Sequence, residues 1–252
     1  SRGLVTINAT TYYIDHQDQA EKLRNIFSNI LPSLVDGDQY EYRCLTTSII
    51  PLPPPCWEED WQKRDNSCLL NEDGVIYHRE IYPIAIAYLR RLKARSIFEI
   101  CGGRGDFLEL FLSKNSDAVE RYQMVDLRDE NCVSASEKLK SIQKTSPNLK
   151  WKVDQYNIID DDNLAKIAGD QVDCVIGLGA LTHQVIGYRN DALAAFWRIL
   201  PLIRSKGYLL LSGRTPHWIG AADLEEAGLR VLNTHSPQNP KTQLQVYLAQ
   251  KP

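Results

Sequence analysis

Short apolar runs alternate with amphipathic segments along the chain from about residue 81 onward. Five of the runs have strand length, at 96–100, 122–127, 150–154, 172–178 and 207–212. Runs of this length separated by segments of helical periodicity are typical of a parallel sheet whose strands are joined by crossover helices. The pattern therefore predicts an α/β fold built on a doubly wound sheet.

Three features predict where helices begin. Pro83 suits the first turn of a helix that leads into the first strand. The capping-box pattern from Ser134 to Glu137 predicts the start of the helix after the second strand. Asn190 and Asp191 are candidate caps of a later helix that is expected to pack on the sheet. Its apolar side recurs at helical spacing, at Leu193, Phe196, Trp197 and Leu200.

The last two predicted strands differ from the five before them. They lie at 229–234 and 243–249, and the loop between them, with Pro237 and Pro240, is too short for a crossover helix. Parallel neighbours need a dozen or more connecting residues, so these two strands are expected to pair in antiparallel orientation. The prediction is a seven-stranded sheet, mostly parallel, with a C-terminal antiparallel hairpin strand.

Residues 1–80 do not show the alternation of apolar runs and amphipathic segments that follows them. An amphipathic helix is predicted from four apolar positions, Leu23, Ile26, Phe27 and Ile30. A tract with three consecutive prolines follows at 50–57, and it is predicted to be an extended connector because proline can neither continue a helix nor donate to a strand ladder. We predict an N-terminal accessory or lid region at 1–80 and the α/β domain at 81–252.

Composition narrows the function classes. The formal net charge of the 252 residues is −3, which gives no general attraction to a phosphate backbone. A nucleic-acid partner is therefore not favoured, although a local groove could still bind one. No apolar stretch approaches the roughly 18 residues of a membrane span, so we expect a soluble, cytoplasmic protein. The chain begins with Ser1 rather than methionine, which is consistent with a piece of a longer protein.

The cysteines indicate reduced thiols rather than a disulfide framework or a metal site. None of them forms a C-x-x-C pair, and a tetrahedral zinc site needs closely spaced ligand pairs. We therefore predict no metal. The six positions are Cys44, Cys56, Cys68, Cys101, Cys132 and Cys174.

A glycine-rich turn follows the first strand of the domain and leads into the helix that opens at Asp106. It runs from Glu99 to Gly105 as Glu-Ile-Cys-Gly-Gly-Arg-Gly, with glycine at 102, 103 and 105. Glycine allows positive φ and lets backbone N–H groups approach a ligand. By itself the turn also fits a tight bend without a ligand.

A carboxylate at the end of the second strand makes the turn more specific. Asp126 lies 21 residues beyond Gly105, where nucleoside-binding sheets place an acceptor for ribose hydroxyls. The G-x-G-x-x-G spacing of dinucleotide sites fails, since the sequence from Gly103 is Gly-Arg-Gly-Asp-Phe-Leu. A nicotinamide cofactor is therefore disfavoured.

Together these features resemble the class I (Rossmann-like) S-adenosylmethionine-dependent methyltransferases, over roughly 81–252. The family's first motif, an acidic residue followed by x-Gly-x-Gly-x-Gly, is matched by Glu99, Gly103 and Gly105, with Cys101 in place of the first glycine. The segments 191–200, 206–211 and 223–231 resemble later family segments in the same order.

The resemblance implies S-adenosyl-L-methionine as the cofactor and assigns residues to its parts. Glu99, Cys101 and the turn glycines Gly102, Gly103 and Gly105 would face the methionine portion. Asp126 would bind the ribose and Leu127 would lie at the adenine. Asp154 would bind the adenine amino group, unless it is only a turn residue. Gly177 and Leu178 would line the floor of the site.

Few catalytic residues are needed, because the methyl group on a sulfonium is already electrophilic and the protein mainly aligns the acceptor and removes its proton. His183, after the fourth strand, is the candidate catalytic base, although a histidine in a loop is often only a hydrogen-bonding surface residue. Arg214, His217 and Trp218, after the fifth strand, are candidate substrate-binding residues, unless they form a solvated loop. Tyr77 is expected to close over the site.

The acceptor is narrowed mainly by motifs that are missing. The Asn/Asp-Pro-Pro-aromatic motif of many amino-group and base methylating enzymes is replaced by Gly177-Leu-Gly-Ala180. The glycine turn is also similar to that of RNA-cap 2′-O-methyltransferases, but their Asp after the fourth strand and Lys at the fifth have no counterpart. We predict methyl transfer to a small-molecule or protein acceptor. The alternatives are a non-catalytic methyltransferase-like binding or regulatory module and an RNA (cap) methyltransferase, and the sequence indicates no oligomeric state.

Overall fold

The computed structural model describes nine segments of the chain. These are residues 3–7, 10–14, 47–51, 81–159, 164–182, 185–186, 189–214, 217–235, and 244–252, with backbone alone in the first three. The chain divides into two compact units, Ser1–Cys56 and Trp57–Pro252. The predicted boundary at residue 80 falls in the second unit, among residues that are not described.

The first unit contains a three-stranded antiparallel sheet that was not predicted. Its strands are β1 (Gly3–Ile7), β2 (Thr10–Ile14) and β3 (Thr47–Pro51), and β1 is central. The signal was available, since residues rich in Thr, Val, Ile and Tyr flank a two-residue connection. The predicted helix at Leu23–Ile30 and most of the proline tract lie outside the described residues. The accessory or lid role stays a prediction.

The second unit is built on the predicted seven-stranded sheet. Its strands are β4 (Ser96–Ile100), β5 (Arg121–Asp126), β6 (Lys150–Gln155), β7 (Val172–Leu178), β8 (Ile203–Arg214), β9 (Arg230–His235) and β10 (Leu244–Gln250). The spatial order is β6-β5-β4-β7-β8-β10-β9. The pairs among β4 to β8 are parallel, and β10 runs antiparallel to both neighbours, β8 and β9. The predicted fold class is confirmed.

The first described α-helix precedes β4, and the later ones lie in the connections between the strands of this sheet. Their bounds are α1 (Tyr82–Leu92), α2 (Asp106–Asn115), α3 (Asp129–Gln143), α4 (Leu164–Ala168), α5 (Arg189–Ile199) and α6 (Ala221–Glu226). Pro83 lies in the first turn of α1, as predicted. Within the described part of the chain, no helix has both the length and the apolar character of a membrane span.

Two predicted helix starts are wrong. α3 begins at Asp129, so Ser134 lies inside it, with its hydroxyl donating to the Arg104 carbonyl at 3.2 Å instead of capping. The chain turns into α3 earlier because Asp126 binds the Arg128 N–H and so sets the entry of the helix. α5 begins at Arg189, which places Asn190 and Asp191 in its first turn rather than at a cap.

The core next to the glycine turn packs α1, α2 and α3 against one face of the sheet. Tyr82 and Phe107 meet edge to face with ring centroids 5.3 Å apart, and Phe107 stacks on Phe111 at 5.9 Å. Burying side chains of this size stabilises the fold by about 2 kcal/mol each. Because α2 is held by this packing, the turn that precedes it has a fixed position at the carboxyl end of β4.

Candidate cofactor site and adjoining loops

The turn after β4 has alternating left-handed backbone. Cys101, Gly103 and Gly105 have φ of 51°, 57° and 75°. The turn is closed by the Gly105 N–H, which donates to the Gly102 carbonyl at 3.1 Å, and it is tied to β5 by the Gly102 N–H, which donates to the Val125 carbonyl at 3.3 Å. Cys101 thus keeps the conformation for which glycine is favoured.

Each glycine of the turn meets a different environment. A Cβ on Gly102 would collide with Met124 and lie 3.0 Å from Glu99 Cδ, and a Cβ on Gly105 would lie 2.9 Å from Ala135 Cβ. A Cβ on Gly103 would have no atom within 4 Å. Gly102 and Gly105 therefore serve close packing, whereas Gly103 leaves an open face that a ligand can approach.

Substitutions of Cys101 test whether the turn requires positive φ at this position. We expect Cys101→Val to be less stable than Cys101→Gly by about 1–3 kcal/mol, because a β-branched residue is strongly disfavoured at positive φ. The free energy of unfolding in urea measures the difference. Cys174, fully buried within the extended strand β7, is the matched position. There the order should reverse, with glycine the less stable variant. If valine and glycine rank in the same order of stability at both positions, the left-handed backbone conformation assigned to Cys101 is contradicted.

Glu99 lies beneath the turn, with 2% of its surface exposed. Its Oε2 accepts a hydrogen bond of 2.6 Å from the Tyr122 hydroxyl, which is also buried. Burial, together with the nearby carboxylates of Asp126 and Asp106, raises the pKa of Glu99 to about 8, although the Tyr122 hydrogen bond opposes this shift. At neutral pH the Glu99 carboxyl is therefore mostly protonated. Burial also raises the pKa of the Cys101 thiol well above its ordinary range, which disfavours the thiolate form that acts as a nucleophile.

Asp126 connects the glycine turn to α3. Its Oδ2 accepts the Gly103 N–H at 2.8 Å, and its Oδ1 accepts the Arg128 N–H at 3.0 Å and the Asn131 side-chain amide at 2.9 Å. The carboxylate is 7% exposed and stands at the carboxyl end of β5, next to the open face of Gly103. This geometry braces the turn in addition to any role toward a ribose.

The remaining predicted cofactor residues lie along the same edge of the sheet. Leu127 follows β5 and accepts the Gln155 side-chain amide on its carbonyl at 3.0 Å. Asp154 pairs with Lys152 at 2.9 Å, and its carbonyl accepts the Cys132 thiol at 3.5 Å.

The end of β7 is tightly packed. Gly177 has no room for a side chain, since a Cβ there would lie 3.0 Å from Ile100 Cγ1. Leu178 follows it as the last residue of the strand and is buried. These two residues form a close-packed end of the strand beside β4, the strand that carries the glycine turn.

The loops after β7 and β8 are joined to each other. Thr182 and His217 form an isolated antiparallel bridge. Trp218 donates its backbone N–H to the Leu181 carbonyl at 3.2 Å and its indole N–H to the Ile186 carbonyl at 2.7 Å. His217 and Trp218 are 8% and 3% exposed. The backbone of His217 and the indole of Trp218 therefore help to hold the two loops as one unit, and the predicted contact of both residues with a substrate stays a prediction.

The comparisons that found similar proteins are those with solved structures. No family model matches the chain, and no curated protein sequence is significantly similar to it. Magnesium protoporphyrin IX methyltransferase from Synechocystis PCC 6803, solved with bound S-adenosylhomocysteine, has a TM-score of 0.54 at 15% identity, covering 70% of this chain and 84% of that chain.

Two further solved structures agree. The N-methyltransferase NodS from Bradyrhizobium japonicum WM9, in complex with S-adenosylhomocysteine, has a TM-score of 0.53 at 14% identity, covering 73% of this chain and 94% of that chain. An S-adenosylmethionine-dependent methyltransferase from Clostridium acetobutylicum has a TM-score of 0.53 at 12% identity, covering 69% and 92%. The chain has the class I methyltransferase fold.

Several of the predicted site residues lie outside the part of the chain that the structure describes. His183 is not described, although the residues on either side of the 183–184 pair are, and the Val185 N–H donates to the Thr182 carbonyl at 3.0 Å. Tyr77 and the side chain of Arg214 are also outside the described residues, as are Cys44, Cys56 and Cys68. The roles of His183, Tyr77 and Arg214 stay predictions.

The structure adds two residues to the candidate site that the sequence did not single out. Tyr122 reads as an ordinary strand residue, and Asn131 as an ordinary helix residue. Their contacts with Glu99 and Asp126 depend on the pairing register of β4 with β5 and on where α3 begins. A buried tyrosine hydroxyl needs a partner, and this rule was the available signal for Tyr122.

Proposed function

We propose that the protein binds S-adenosylmethionine at the glycine turn and transfers its methyl group to a small-molecule or protein acceptor. The observation that carries this proposal is the open face of Gly103 beside the buried carboxylate of Asp126. A Cβ would fill the space above Gly103, so the backbone there can approach a ligand closely. The fold supports the proposal, because two of its structural neighbours were crystallised with S-adenosylhomocysteine.

Charge around the turn supports a cationic ligand. The carboxyl groups of Asp126 and Asp106 lie close enough to Glu99 to raise its pKa. Asp106 is paired with Lys138 at 2.6 Å, whereas Asp126 is bound by uncharged N–H groups. A dinucleotide would bring the negative pyrophosphate to this turn, where it would be repelled. S-adenosylmethionine instead brings a sulfonium and an ammonium group.

The protein's own contribution would be binding and alignment. The cofactor supplies a methyl group on a sulfonium that needs no further activation. The glycine turn would hold its methionine portion, Asp126 its ribose, and Leu127 and Asp154 its adenine. The joined loops after β7 and β8 would hold the acceptor in line, and His183 would take the acceptor's proton.

Binding is tested by calorimetric titration of the folded protein. We expect S-adenosylmethionine and S-adenosylhomocysteine to bind and NAD⁺ to give no heat, because the first two bring an ammonium group to the acidic turn, whereas NAD⁺ brings a negative pyrophosphate. Absence of binding by both sulfur nucleosides at roughly millimolar concentration would overturn the proposal.

Transfer is tested separately with a methyl-labelled cofactor and panels of small molecules, proteins and capped RNA. Label in a small molecule or protein supports the proposed acceptor class, whereas label in RNA alone contradicts it. Cofactor binding with no transfer to any panel would indicate a non-catalytic binding module instead.

A further inference from the structure

A buried pair of side chains lies directly beneath the proposed methionine end of the cofactor. The Tyr122 hydroxyl donates to Glu99 Oε2 at 2.6 Å, and both side chains are almost fully buried. In the β4–β5 register Glu99 is opposite Met124, so Tyr122 lies two residues behind that pair and its hydroxyl reaches forward to the carboxyl. The carboxyl in turn touches the glycine turn, since a Cβ on Gly102 would lie 3.0 Å from Glu99 Cδ.

The groups that face Glu99 are neutral or acidic. Asp126 on β5 and Asp106 on α2 act on it through their charges, and the thiol of Cys101 lies on the turn beside it. Tyr122 itself is faced by Tyr82 of α1 and Cys174 of β7. Among the described Lys, Arg and His side chains, none forms an ion pair with Glu99. A cation that arrives here would therefore be the direct counter-ion of this carboxyl group.

We propose that Tyr122 is a positioning residue that holds Glu99 as a proton-exchanging group, so that binding of the cofactor's ammonium group expels one proton from Glu99. This inference rests on the proposed function. Glu99 begins as a carboxylic acid, and its proton goes to solvent when the ammonium group takes its place against the carboxylate. Tyr122 donates to Oε2 in both states, and its bond becomes charge-assisted after the proton leaves. Without that hydroxyl, the carboxylate would be harder to form.

The supporting pKa makes the effect measurable at neutral pH. Because burial raises the pKa of Glu99 to about 8, roughly nine-tenths of the free protein carries this proton at pH 7. Binding of S-adenosylhomocysteine should then release close to one proton per ligand. Titration in two buffers of different ionisation enthalpy counts the protons directly. 5′-Methylthioadenosine shares the nucleoside and thioether but lacks the ammonium group, and it should bind without this release.

Substitution separates the proposed role from ordinary packing. Tyr122→Phe should weaken S-adenosylhomocysteine by about tenfold at pH 7, shift the pH dependence of its affinity upward, and leave the affinity for 5′-methylthioadenosine within about twofold. Glu99→Gln should abolish the proton release. Tyr208→Phe is the matched control, because it removes a tyrosine hydroxyl that accepts from the Gln250 amide at 3.2 Å, within β8 and away from the turn. This control variant should change the affinity for neither ligand.

Each result has one meaning. If S-adenosylhomocysteine and S-adenosylmethionine fail to bind at all, the proposed function fails. If S-adenosylhomocysteine binds with heats that do not depend on the buffer, the proton-exchange inference is wrong while the cofactor assignment stands. If Tyr122→Phe weakens both ligands equally, Tyr122 has only a structural role, and the inference is also overturned.

Discussion

Replacing Gly103 with alanine is expected to weaken binding of S-adenosylhomocysteine by ~100-fold or more, while the protein remains folded. The residue has φ of 57°, and a Cβ built on it meets no protein atom within 4 Å. The new methyl group would therefore clash with no protein atom, and it would occupy the space in which the ligand is proposed to contact the protein backbone. The same positive φ should reduce the free energy of unfolding by about 1 kcal/mol. Calorimetric titration measures the affinity, and urea denaturation measures the stability.

Gly169 provides a matched control. Its φ is 68° and a Cβ there also has no neighbour within 4 Å, but it follows α4 and precedes the amino end of β7, at the opposite edge of the sheet from the turn. Gly169→Ala should therefore lose about the same stability as Gly103→Ala and bind the ligand as the unchanged protein does. If the two variants bind S-adenosylhomocysteine with equal affinity, the ligand does not bind at the glycine turn.

Glu99→Gln is expected to stabilise the protein increasingly as the pH rises. Burial raises the pKa of Glu99 from 4.5 to about 8, so between these values the folded state keeps a proton that the unfolded state has lost. The contribution of Glu99 is therefore fully favourable below about pH 4.5 and is lost as the pH rises to about 8. The slope is about 1.4 kcal/mol per pH unit. Since glutamine cannot ionise, the variant's advantage in unfolding free energy should approach the order of 5 kcal/mol near pH 9.

The measurement is urea denaturation of both proteins across this pH range, because titrating groups that do not interact with Glu99 contribute equally to each and cancel in the difference. Glu137→Gln is the control, since Glu137 is exposed on α3 and its replacement should change the unfolding free energy by less than about 0.5 kcal/mol at every pH. A difference for Glu99→Gln that stays constant with pH would show that this carboxyl is ionised in the folded protein.

Much of the sheet could be predicted because its signals are local. The predicted bounds of β4 and β7 agree with the structure, since both are buried apolar runs with polar or glycine-containing boundaries. β8 begins at Ile203, four residues before its predicted start, because the polar stretch Arg204–Lys206 hides its first part. α3 was misplaced for a related reason. A capping-box pattern was present at Ser134, but a carboxylate at the end of the preceding strand set the start of the helix.

Part of the candidate site could also be predicted from local signals, and part could not. Glu99, the glycines and Asp126 could be placed by spacing alone, because the carboxyl ends of neighbouring parallel strands meet at one edge of a sheet. The burial of His217 and Trp218 could not be foreseen. It results from contacts between two loops that are more than 30 residues apart, and nothing in the local pattern distinguishes such loops from solvated ones.

The sequence by itself determined the parallel crossovers, the reversed strand at the end and the glycine turn with its acidic neighbours, since each depends on periodicity or on short connections. Only the tertiary structure decided that β10 inserts between β8 and β9, that Gly103 alone among the three turn glycines faces open space, and that Tyr122 donates to Glu99. These features depend on which strands pair and in what register, and that choice is made by packing between residues far apart in the chain.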